Sequence, residues 1–159
     1  MIASPKSQPD TFVVIRYAAY RDHIDVMTAH MDKLKEKGAV VFAKIGKPIG
    51  EKRAREINRA VEQGKQVVGY LVSQKLGKGK VHRIDIKLAT MTMKKEYAEM
   101  FPDYYKSMDI RRISKSWLII DSIVEEGPFR RGRFRTQAGG DLVDALDRSM
   151  AGMFVVSKY

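Results

Sequence analysis

The segment Pro128-Phe129-Arg130-Arg131-Gly132-Arg133-Phe134-Arg135 sets four arginines among two phenylalanines. Guanidinium forks grip phosphate bidentately, and interleaved rings can stack on bases, so this composition suits a polyanion with π-faces. It equally suits a loop whose phenylalanines anchor to a core while its arginines face water. A second aromatic group, Tyr97, Phe101, Tyr104 and Tyr105, fits either a lid over a base or a hydrophobic plug beneath a long segment. Further cations stand at Lys52 and Arg53, and at Lys78 and Lys80 in Leu76-Gly77-Lys78-Gly79-Lys80. That last stretch lacks the spacing of a phosphate-binding P-loop and reads as a hairpin turn whose lysines can touch a nucleic-acid backbone.

Other chemistries find weaker footing. His23 and His30 stand seven apart and His82 is remote, with no carboxylate cluster at ligand spacing, so no metal is expected. No nucleophile-elbow motif is present. Glu125-Glu126 precedes Gly127-Pro128 and reads as a solvated turn rather than a magnesium-binding pair. The chain has no cysteine, which removes disulfides, thiolate catalysis and zinc fingers. No catalytic residue and no cofactor is assigned, and a binding domain is expected over an enzyme.

The charge supports this direction. Thirty Lys+Arg against 19 Asp+Glu leave a formal +11. That excess favours DNA, RNA or another polyanionic partner. No apolar run approaches the roughly 20 residues that span a bilayer, so no membrane partner is expected and a cytoplasmic location is. Residues 1–10 read as a flexible polar tail and 11–159 as one domain.

The elements that position these residues follow from periodicity. Phe12–Tyr17 reads as a buried strand. Ile24, Met27, Met31 and Leu34 repeat at helical spacing after a cap at Asp22, with Gly38 as the stop. Ala39–Ile45 is strand-like. Glu51–Gln63 reads as a helix with Ala54, Ile57, Ala60 and Val61 inward and Lys52, Arg53, Arg55 and Arg59 outward. Val67–Val72 and Val81–Leu88 form a hairpin candidate. The region 91–116 reads as a loop with one helical turn, and Trp117–Val124 as a strand with Trp117 in the core. A basic loop is expected over 127–140, a helix over 141–150 and an edge strand over 153–157. The sum is a mixed α/β (α+β) domain, with a curved, mainly antiparallel sheet or partial barrel flanked by two or three helices.

This order resembles the PUA-like superfamily, and within it the YTH and EVE domains, over about 11–124. Phe12-Val13-Val14-Ile15-Arg16-Tyr17 looks like the first YTH strand, and Val40-Val41-Phe42-Ala43-Lys44 like the second. Val67 to Leu88 is similar to the central hairpin, and Trp117-Leu118-Ile119-Ile120-Asp121-Ser122-Ile123 to a later strand opening on a structural tryptophan. Phe42 stands where that family places a cage tryptophan. The resemblance implies a nucleic-acid-binding domain that accepts a single base, methylated or not, in an aromatic pocket. The pocket would lie where the first two strands end side by side, with Arg16, Tyr17, Phe42, Lys44, Tyr104 and Tyr105 around it. Lys52, Arg53, Lys78, Lys80, Arg130, Arg131, Arg133 and Arg135 would hold the phosphate backbone. It also allows partner subunits of a restriction or RNA-processing system. The alternatives are an RNA-binding accessory protein that reads shape, and a metal-dependent nuclease or ASCH-type nucleotide-processing enzyme.

Overall fold

A computed structural model describes residues 12–17, 25–45, 47–73, 80–128, 134–136, 141 and 153–158. The strands are β1 (Phe12–Tyr17), β2 (Val40–Ile45), β3 (Val68–Ser73), β4 (Lys80–Thr90), β5 (Ser114–Pro128), β6 (Phe134–Thr136) and β7 (Met153–Lys158). The helices are α1 (Val26–Lys37), α2 (Glu51–Glu62) and the single turn α3 (Ile110–Ile113). Two 3-10 helices, Lys95–Met100 and Asp103–Ser107, precede α3.

All seven strands form one mixed sheet in the order β2-β5-β4-β3-β1-β7-β6. Five of its pairings are antiparallel and one, β1 with β3, is parallel. Its terminal strands are β2 and β6, so the sheet is open. It is also curled. Tyr70 on β3 and Phe134 on β6 place their rings 5.0 Å apart, though β1 and β7 lie between their strands. A flat sheet would hold those positions about 14 Å apart at its usual strand spacing.

Local chemistry explains the element ends. Asp25 in extended conformation accepts the Thr28 N–H at 3.0 Å and starts α1. Asp22 and Ile24, expected at this end, lie outside the described residues. Gly38 at φ 80° returns its N–H to Leu34 at 2.7 Å and ends the helix as expected.

One face of the sheet carries the main core. Register aligns Val13, Gly69, Ile84 and Ile123 in a row beneath the helices. A Cβ on Gly69 would meet Ile84, Ile86 and the Val13 carbonyl at 3.2 Å each, so any side chain there would have to push these neighbours back by a few tenths of an ångström. Met27, Ala54 and Ile57 pack onto this face from α1 and α2. On the other face Val41, Ala43, Trp117 and Ile119 pack with Tyr105 and Ile110. Trp117 is therefore core, as its strand position required.

Several expectations are corrected. β1 and β2 are not neighbours, because β5, β4 and β3 stand between them. The final strand is not an edge: β7 pairs with both β1 and β6. Glu125 and Glu126 belong to β5, with Glu125 opposite His82, rather than to a turn. The apolar run ends at Val124, but backbone pairing with β4 carries the strand on to Pro128. The region read as a loop from 91 holds the two 3-10 helices and α3, tied down by the second core layer. Phe134, read within a basic loop, is a buried strand residue. The tail 1–10, most of the hairpin turn at 74–79 and the helix expected over 141–150 lie outside the described residues, save Asp141.

Among the described residues no helix is long and apolar enough to cross a membrane.

Candidate nucleic-acid interface

The residues expected to wall a base slot are mostly packing. Every residue from Val40 to Lys44 is buried, because β2 lies between both core layers. Phe42 is 4% exposed and sits in the main core, 5.4 Å from the His30 ring. Lys44 is 3% exposed; its ammonium donates to the carbonyls of Ile45 at 3.2 Å and Lys47 at 3.0 Å, closing the turn after β2.

Tyr105 is buried too. Its hydroxyl accepts the Ala43 N–H at 2.9 Å and lies 3.0 Å from His30 Nε2. His30 Nδ1 stands 2.7 Å from the Val26 carbonyl, which can only accept. Nδ1 therefore carries the proton, Nε2 is the acceptor, and the Tyr105 O–H donates to it. Burial, against the pull of the Val26 carbonyl, lowers the His30 pKa to about 4, so the ring is neutral at pH 7. Tyr104 is half-buried with its ring 5.0 Å from that of Tyr105, and burial raises its hydroxyl to about 12. Of the two readings open for this aromatic group, the plug holds for Tyr105.

Tyr17 ends β1, three strands away from β5 and on the far side of the sheet centre from β2. It is half-buried, and desolvation followed by the nearby Asp25 raises its hydroxyl. Arg16 lies in the same strand, opposite Val72. Arg16 and Tyr17 on β1 thus stand apart from the other four, which gather at β2, and there Phe42, Lys44 and Tyr105 offer no open wall.

The cations tell a different story. Helix α2 is bolted to β4 by Asn58, whose amide donates to the Ala89 carbonyl and accepts the Ala89 N–H, both at 2.8 Å. The Ser116 hydroxyl receives the Ile49 N–H at 3.0 Å and fixes the approach to the helix. With Ala54 and Ile57 inward, helical geometry turns Lys52, Arg55 and Arg59 outward in one row. They line a depression of about 410 Å³ with Glu56, Ala60, Gln63 and Lys65. Four cations there face one carboxylate. Arg53 is bridged to Glu56 at 3.1 Å, and Arg55 loosely to Glu51 at 3.8 Å. Lys52, Arg59 and Lys65 make no ion pair among the described residues.

The remaining phosphate candidates divide. Lys80 is exposed and bridged to Glu125 at 3.3 Å. Lys78, Arg130, Arg131 and Arg133 lie outside the described residues; Arg135 lies in β6, opposite Ser157. Sequence reasoning turned Arg55 and Arg59 outward but counted only Lys52 and Arg53 on this helix as phosphate contacts, and it missed Lys65 and the anchoring role of Asn58. Only tertiary contact reveals the role of Asn58.

His82 is buried on β4 with Nε2 4.0 Å from Glu125, and burial lowers its pKa despite that carboxylate. Among the described residues no group of three or more His, Asp or Glu is placed to hold a metal ion. Compared with protein-family models, with curated proteins and with solved structures, the chain matches none.

Proposed function

We propose that this protein binds nucleic acid through its phosphate backbone, with the outer row of α2 as the contact surface. The observation that supports the reading most is the depression lined by Lys52, Arg55, Arg59 and Lys65 in a chain of formal charge +11. Exposed cations on a rigid helix offer phosphates a prepaid geometry, while Ala60 and the lysine stems give sugars an apolar floor. The pairs that Arg53 and Arg55 make are exposed and cost little to exchange for phosphate. Release of condensed counterions then drives binding.

This reading keeps the backbone half of the expected function and sets aside its base slot, since Phe42, Lys44 and Tyr105 are committed to packing and hydrogen bonding. A titration of labelled single-stranded oligonucleotides with and without N6-methyladenine separates the two. Equal affinities are expected; a preference of tenfold or more for the methylated strand would restore the slot. The same titration without any retention at low salt would remove the nucleic-acid reading altogether.

A further inference from the structure

The depression on α2 has two unlike sides. Lys52, Arg55 and Arg59 follow one another at three and four residues and form one ridge of the helix. Glu56 and Ala60 stand one turn apart on the ridge beside it, and Gln63, the C-cap, closes the end. Cations there attract phosphate, yet Glu56 puts a carboxylate among them. A groove that served phosphate alone would be weakened by that charge.

The carboxylate is oriented. Arg53, which does not line the depression, donates to Glu56 Oε2 at 3.1 Å. Oε1 accepts no hydrogen bond among the described residues, and the side chain is exposed along the depression. An acceptor held among phosphate-binding cations selects for a hydrogen-bond donor close to the phosphate. In a nucleic-acid strand the sugar can supply one: the 2′-hydroxyl of RNA donates, whereas DNA carries only C–H at that position. Base amino groups also donate to glutamate, but they lie across the base from the backbone. Glu56 is flanked directly by Arg55 and Arg59, which places its acceptor at the backbone.

Resting on the backbone contact proposed for α2, we infer that its ligand is RNA in preference to DNA. Glu56 Oε1 accepts a hydrogen bond from a ribose 2′-hydroxyl while the phosphates run along Lys52, Arg55 and Arg59. Arg53 is a positioning residue for that carboxylate. On DNA the same carboxylate gains no donor and only repels the neighbouring phosphates.

The test is a set of anisotropy titrations at one salt concentration with oligouridylate, oligodeoxyuridylate and 2′-fluoro-oligouridylate of equal length. The bases are identical, so only the sugar differs. The fluoro strand keeps the sugar pucker of RNA but has no donor. The parent should bind RNA about fivefold tighter than DNA, with the fluoro strand binding as DNA does. Glu56→Ala should erase that ratio and strengthen DNA binding; Glu56→Gln, whose amide oxygen still accepts, should keep part of it. A change of charge alone moves all three strands together, so the ratio decides. Equal affinity of the parent for RNA and DNA, a fluoro strand that binds as RNA does, or an undiminished ratio in Glu56→Ala would each overturn the inference while leaving backbone binding intact. No retention of any strand at low salt would remove the backbone reading itself, and this inference with it.

Discussion

The Tyr105 hydroxyl lies 3.0 Å from His30 Nε2, joining a 3-10 helix to the centre of α1 across 75 residues of chain. Through the same oxygen it holds Ala43 of β2. The bond requires a neutral imidazole, so the ring that ties three elements together is also the one that protonation would expel.

Acid should therefore destabilise the fold before its carboxylates titrate. The folded His30 has a pKa of about 4, against 6.5 for an unperturbed ring. Between these values the unfolded chain takes up a proton that the folded chain refuses, so stability falls as pH drops through the window and the loss is complete below about 4. The difference corresponds to about 3 kcal/mol. His82, also lowered, acts in the same direction. Urea midpoints at pH 7, 5.5 and 4.5 should decline steadily. His30→Gln should be less stable than the parent at pH 7 and markedly flatter over the same range; an equally steep decline in that variant would exclude His30 as the cause.

Phe42 should behave as a core residue. Phe42→Ala is expected to cost about 3–5 kcal/mol of stability, the usual effect of removing a buried ring. Phe42→Leu should remain folded and bind nucleic acid as the parent does. A folded Phe42→Leu with selectively weakened binding would return this ring to a recognition role.

Asn58 should matter more than its half-buried position suggests. Asn58→Leu leaves both backbone groups of Ala89 without partners and is expected to cost about 2 kcal/mol. Chemical denaturation measures this directly. Because the same bond sets the orientation of α2, the variant should also bind nucleic acid more weakly under conditions where it is fully folded.

The legible parts of this chain were those carried by local periodicity. The apolar spacing of Ala54 and Ile57 placed α2 and its cationic row, and Gly38 marked the end of α1. Strand pairing is non-local and was not legible: nothing in Phe12–Tyr17 says that it pairs in parallel with β3 and is separated from β2 by three strands. The burial of β2 on both faces depended on the 3-10 segment after β4, whose own apolar spacing follows neither a helix nor a strand. Tyr105 could have been a lid or a plug on composition; its partners, His30 and Ala43, made it a plug. Glu125 looked like turn chemistry because charge masks a strand that backbone bonds alone extend.

The central claim is best tested by the salt dependence of binding. Fluorescence anisotropy with a labelled single strand should give a linear fall of log affinity with log salt. Replacing Lys52, Arg55, Arg59 and Lys65 together by glutamine should flatten that slope by about 2 to 3 units. Replacing Lys94, Lys95 and Lys106, which do not line the depression, should change it far less. Equal slopes for the parent and the four-fold α2 variant would contradict the account.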